Sequence, residues 1–296
     1  MRTALSQLAV ARPRDLAHAL RLMGGASRGE RPIPLAGSTD LFVYLNAGTA
    51  PPGRLYLDLW GLDELRFVRA DRRGLTVGAL TTMGELRDHP LVRRRLPCLA
   101  AAAAEIGARQ IQNRATLGGN IANASPAGDS LPPLMALGAV VHTRSARGAR
   151  EIPFAGFFRG YRDLELSPEE LIVEIRIPYP PARTRQYFRK VGTRRAQSIS
   201  KVVAAGLLRL DARGAVDLVH LAYGSVAPVT LRARRAEEAL LGHRPTAEVV
   251  AEARAALAED LSPIDDIRSD REYRLTVAGN LLEQFLRAVP ARPPRA

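Results

Sequence analysis

From Ala108 to Leu137 the chain reads ARQIQNRATLGGNIANASPAGDSLPPLMAL, a run rich in Gly, Asn, Ser and Pro. This run constrains the fold more than any other segment. A long irregular stretch inside a compact domain is usually functional. Strong elements flank it. LVRRRLPCLAAAAAEIG (91–107) predicts one helix closed by Gly107, and GAVVHTRS (138–145) and ELIVEIRIP (170–178) predict strands. Within the run, Thr116-Leu117-Gly118-Gly119-Asn120 pairs two glycines, whose successive N–H groups can form an anion-binding nest. The spacing is neither GxGxxG nor a P-loop, and alone it reads equally as a turn.

A second glycine turn lies upstream. Leu35, Ala36, Gly37, Ser38, Thr39, Asp40 and Leu41 follow a short β-like run. Gly37 lets the backbone approach a ligand, and Ser38, Thr39 and the amides of the next helical turn can bond phosphate oxygens. Alone this is also an ordinary strand–turn–helix joint. Together the two turns could clasp a dinucleotide diphosphate from both sides. Asn123, Ser125 and Asp129 then supply donors and acceptors suited to a ribose or polyol. Asp129 also reads as an N-cap for the helix SLPPLMAL.

The rest of the chain divides at IPYPPART (177–184), a Pro-rich linker. Before it, a helix begins near Pro13 in its first turn and ends at Gly24 and Gly25. Short strands at RLYLDLW, ELRFVRAD and GLTVGAL follow, then a helix capped by Thr81 or Thr82. After the linker, three strands (QYFRKV, SKVVAAGLLRL, AVDLVHLAYGSV) precede three helices, the pattern of a small α+β layer domain.

Composition narrows the function. One cysteine, Cys98, in an apolar helical context, rules out an internal disulfide and a thiolate-held cluster and reads as a small buried hydrophobe. His18, His89, His142, His220 and His243 are scattered without ligand spacing, so no metal site is expected. No run is long and apolar enough to span a bilayer, and the N-terminus has no secretory h-region, so a cytoplasmic location is expected. The net charge is +13, but the arginines are dispersed and aromatics few, which argues against nucleic acid. An anionic cofactor or an acidic partner accounts for the charge as well.

Residues 115–139, read with AGSTDL at 36–41, resemble the FAD-binding subunits of the molybdenum hydroxylases, the xanthine dehydrogenase and carbon monoxide dehydrogenase family, and the similarity runs from about residue 5 to 285. The resemblance implies an α+β architecture of the vanillyl-alcohol-oxidase (PCMH) type. An FAD-binding domain would occupy 1–178, with subdomains at about 1–60 and 61–178. A C-terminal α+β domain at 185–290 would be built on a three-stranded antiparallel sheet with helices. It implies non-covalent FAD here, and molybdopterin and [2Fe–2S] clusters only in a large and a small partner subunit, as a dimer of heterotrimers. By position, residues 35–41 and 116–120 would hold the diphosphate and Asp129 would contact the cofactor. Ile106 and Ile172 would pack near the isoalloxazine, Lys190 would lie beside it, and Arg194 to Ser198 would form a mobile loop there.

Lys190 also has its own argument. Only Lys190 and Lys201 are lysines in a chain that otherwise uses arginine. A compact ammonium near a reduced flavin would stabilise its negative charge and raise its potential; the plain reading is a surface lysine on a strand. Two departures stand out. Ser38 replaces a glycine frequent in the family, and Gln197 stands where some NAD-reducing relatives carry an acid. The function expected is an electron-relay subunit, from partner clusters through FAD to NAD⁺, a quinone, O₂ or another acceptor. The alternatives are a stand-alone flavin oxidoreductase, for which no acid/base pair is evident, and a basic binding module without redox activity.

Overall fold

The computed structural model describes residues 8–27, 29–50, 54–194 and 196–287. The first layer is a parallel three-stranded sheet, β1 (Val10–Ala11), β2 (Ile33–Leu35) and β3 (Tyr56–Asp58), in the order β1-β3-β2. Helices α1 (Leu16–Gly24) and α2 (Leu41–Asn46) connect its strands. Asp15 caps α1 by accepting from the His18 amide, so Pro13 lies outside the helix rather than in its first turn. Leu16, Ala19 and Met23 of α1 join Leu57, Leu59, Leu62 and Leu65 in a small core.

The second layer is an antiparallel sheet ordered β4-β5-β10-β6-β7. Its members are β4 (Val68–Ala70), β5 (Gly74–Gly78), β6 (Val140–Ser145), β7 (Gly148–Pro153) and β10 (Leu171–Pro178). Strand β7 is polar and mostly exposed, so no hydrophobic alternation announces it. The hairpin β8 (Phe158–Gly160) and β9 (Asp163–Leu164) stands apart from this sheet.

Six helices lie between β5 and β6: α3 (Met83–Asp88), α4 (Pro90–Arg95), α5 (Pro97–Glu105), α6 (Arg109–Gln112), α7 (Leu117–Asn123) and α8 (Leu131–Leu137). Thr82 caps α3 in a reciprocal capping box with Glu85. The single helix expected over 91–107 is two. Pro97 has no N–H to give and its ring would clash with the preceding turn, so the chain breaks at Leu96 and restarts with Pro97 in the first turn of α5. Within 108–137 the helix read at SLPPLMAL is present as α8, and the part before it, expected to be irregular, holds two more short helices, α6 and α7. Burial of Leu117, Ile121 and all of α8 outweighs the poor helix propensity of the segment's glycines and prolines.

Beyond residues 179–184, β11 (Arg185–Val191), β12 (Val202–Leu210) and β13 (Val216–Gly224) form an antiparallel sheet, as the alternation predicts. A fourth strand, β14 (Leu231–Arg232), adds to the three expected; two residues are too few to show a period. Helices α9 (Arg234–Leu240), α10 (Ala247–Asp260) and α11 (Arg271–Arg287) complete this lobe. Its other face belongs to the first lobe: Ala205, Leu207 and Ala222 join the core built around β5, β10 and α3–α8. The two lobes therefore share buried apolar surface.

Candidate functional site

The first glycine turn leaves the carboxyl end of β2, where ligands commonly bind in open parallel sheets. Ser38 sits at φ +63°, a left-handed conformation natural to glycine, which accounts physically for the glycine frequent here in the family. The Ser38 carbonyl accepts from Phe42 N (3.0 Å), and its hydroxyl donates to the Ala36 carbonyl (3.2 Å). The amides of Gly37, Ser38, Thr39, Asp40 and Leu41 donate to no partner among the described residues. They form a run of open donors.

The second turn is organised differently. Leu117 N donates to Thr81 O (3.0 Å), Gly118 N to Ala79 O (2.8 Å), Gly119 N to Thr116 Oγ1 (3.1 Å) and Asn120 N to Thr116 O (2.9 Å). The nest expected at Gly118-Gly119 is thus not open, because its amides are spent inside the protein. Thr116, Leu117 and Gly118 are buried scaffold, and a Cβ on Gly118 would meet Ala79. Gly119 and Asn120 are half-exposed. Asn120 Oδ1 accepts from Ser130 Oγ (2.7 Å), which fixes the segment leading to Asp129.

The two turns meet through Gly37. A Cβ there would lie 1.8 Å from the Arg114 carbonyl oxygen, so the absent side chain serves the approach of one loop to the other. Arg114 is held in turn by Trp60, its guanidinium 3.6 Å from the indole centroid, with Arg66 at 4.5 Å from the same ring. Farther along, Tyr44 of α2 donates its hydroxyl to Asn123 Oδ1 at the end of α7 (3.1 Å) and accepts from Arg162 Nη2 (2.8 Å). Asp40 is exposed, yet desolvation by its surroundings pushes its carboxyl above the usual range, and Arg162 pulls it back.

Where the lobes meet, Lys190 Nζ on β11 donates to Asp129 Oδ2 (2.6 Å) and to the Glu105 carbonyl (3.0 Å). Ser200 Oγ donates to Asp129 Oδ1 (2.5 Å). The Lys190 and Asp129 side chains are only 4% and 8% exposed. Lys190 is therefore not a surface lysine: its ammonium is buried and its charge is balanced by Asp129. Burial pushes the Asp129 carboxyl up, while the ammonium and the serine hydroxyl pull it down. Nor is Asp129 the cap of α8; that place falls to Ser130, without a side-chain bond.

Ile106 and Ile172, each 9% exposed, border the shared core, Ile106 at the end of α5 and Ile172 at a bulge in β10. Gln197, at φ +52°, donates its amide to Gly107 O (3.1 Å), which ties the 194–198 loop to the turn after Ile106. Arg195 of that loop lies outside the described residues. Lys201 rests 4.8 Å over the Tyr273 ring. Cys98 is buried, its thiol pushed up to about 12 by desolvation, which makes it inert. Sequence reasoning missed Tyr44, Arg114, Arg162 and Ser200, which carry no motif. Trp60 had one usable signal, as the sole tryptophan.

A family model described as the FAD binding domain in molybdopterin dehydrogenase matches residues 6–180. The CO dehydrogenase flavoprotein C-terminal domain matches 186–289. The chain belongs to the FAD-binding medium subunits of the molybdenum hydroxylases. The carbon monoxide dehydrogenase medium chain of Hydrogenophaga pseudoflava is 31% identical over 280 residues, covering 95% of this chain and 96% of that one. A putative xanthine dehydrogenase FAD-binding subunit of Escherichia coli K12 is 32% identical over 257 residues, 85% and 86% of the two chains. Among solved structures, carbon monoxide dehydrogenase from H. pseudoflava lacking the Mo-pyranopterin moiety superposes with TM-score 0.88 at 31% identity, over 94% and 95% of the chains. Quinoline 2-oxidoreductase from Pseudomonas putida 86 gives 0.88 at 25% identity, over 97% and 98%.

As a medium subunit of this family the protein is an oxidoreductase subunit with FAD as its cofactor. The residues fit the group. Five consecutive amides without partners among the described residues suit phosphate oxygens, and Gly119 and Asn120 are half-exposed.

Proposed function

We propose that this chain relays electrons within a molybdenum hydroxylase complex, from the [2Fe–2S] clusters of a small partner subunit to an external acceptor. A large subunit with the molybdenum cofactor would supply the electrons, and the assembly would be a dimer of heterotrimers in the cytoplasm. The observation that carries the reading is the end-to-end likeness to medium chains, together with two glycine turns clamped against each other through Gly37 and Arg114. FAD, when bound, supplies a centre that takes electrons one at a time and releases them singly or in pairs.

The chain's own residues supply the rest. The 37–41 amides would bind the diphosphate, with Gly119 and Asn120 opposite. Leu117 and Gly118 hold that second turn on Thr81 and Ala79, and Thr116 caps it by accepting from Gly119 and Asn120. Leu35, Ala36, Ile106 and Ile172 would border the cofactor with apolar surface, and Asp129 with Lys190 would fix the second lobe beside it. Residues 1–178 would be the FAD-binding domain and 185–290 the C-terminal one. Gln197, in place of an acid, favours an acceptor other than NAD⁺.

The test is anaerobic mixing of the FAD-loaded chain with its chemically reduced iron–sulfur partner. Bleaching of the flavin that depends on the partner is expected. Equal bleaching by an organic substrate without any partner would point to a stand-alone oxidoreductase instead.

A further inference from the structure

We propose that Arg162 is a cofactor-binding residue, the cation that the FAD diphosphate meets in the cradle formed by residues 36–41 and 116–123. This deepens the reading of that cradle as the FAD site and rests on it. Arg162 sits at φ +55°, the second residue of the two-residue turn that joins β8 and β9, where a tight turn places a left-handed residue. Its guanidinium reaches across to α2, where Nη2 donates to the Tyr44 hydroxyl (2.8 Å) and the group lies 5.0 Å over the Tyr44 ring. The same hydroxyl donates to Asn123 Oδ1 (3.1 Å). Three segments distant in sequence thus close on one point: the hairpin, the helix after the first glycine turn, and the end of the helix that carries the second.

Charge decides what that point is for. The first turn brings a carboxylate, Asp40, and residues 116–123 bring no charged side chain. The open amides attract an anionic diphosphate, the Asp40 carboxylate opposes it, and a cation close by offsets that repulsion. Arg162 is the basic side chain whose charge acts on Asp40. One of its five N–H donors is engaged among the described residues, so the others remain for phosphate oxygens, whose spacing the guanidinium fork matches. An arginine that merely packed on tyrosine would affect stability and not anion binding.

The test compares FAD with riboflavin, which lacks the diphosphate. Dissociation constants of both are measured for the full chain, for Arg162→Gln and for Arg162→Lys, at low and high salt. Arg162→Gln is expected to weaken FAD by at least about tenfold, to leave riboflavin unchanged, and to flatten the salt dependence of FAD binding. Arg162→Lys should recover part of the loss. Unchanged FAD affinity in the Gln variant, or equal weakening of both flavins, overturns the assignment alone. A wild-type chain that takes up neither flavin overturns the cradle reading and this assignment with it.

Discussion

Gly37 and Ser38 are neighbours with opposite needs. Gly37 is glycine because the Arg114 carbonyl occupies the place of a side chain. Ser38 carries a side chain although its φ of +63° is one that glycine adopts more easily. The sequence marks Gly37 as a site residue but misplaces the reason: the close approach is of the chain to itself, and only the folded contact reveals it. Gly37→Ala should force the two turns apart, destabilising the chain by about 1–3 kcal/mol and lowering FAD retention. Urea unfolding with flavin release checks it; an unchanged midpoint and unchanged flavin content would remove the clamp from the account.

At the scale of elements, the strands around the site were legible because alternation survives where one face is buried, as in β10, and because a strand buried on both faces, such as β12, reads as an unbroken apolar run. Helix α7 was not, because tertiary burial overrides the poor propensity of its glycines. The turn between α10 and α11 makes a separate, testable element. Burial disfavours ionised Asp266, but the amide and guanidinium of Arg268 and the guanidinium of Arg274 hold its carboxyl at about 2. Arg274, its side chain 5% exposed, also donates to Ser225 O (2.7 Å), so the turn is tied to the end of β13. A carboxyl held below its ordinary 3.8 contributes stability that is complete above that pH and is lost as pH falls through about 2. The stability gap between wild type and Asp266→Asn should therefore narrow on acidification across this window, as followed by denaturant midpoints. A gap that stays constant contradicts the ion pairs described.

For the whole molecule, the decisive feature is how the lobes are joined. The Pro-rich linker suggests a division of the chain, but no local pattern shows that Asp129 and Lys190 meet, since 61 positions separate them. His220 Nδ1 against Ala136 O (2.6 Å) and Ser225 N donating to Pro126 O (2.8 Å) tie the same interface. Removing one partner of a buried ion pair leaves the other uncompensated, so Asp129→Ala should cost about 3–5 kcal/mol. An Asp129→Leu, Lys190→Met double variant should cost less than the sum of the single changes; additive losses in chemical unfolding would show that the pair is not coupled.

Holding the lobes in register matters because the Asp129–Lys190 pair that joins them follows directly on the proposed FAD cradle. The most direct measurement is the flavin released by acid from the chain purified with its natural partners. One FAD per wild-type chain, with Gly37→Ala depleted, is the predicted result. A wild-type chain that carries no flavin in its assembled complex would contradict it.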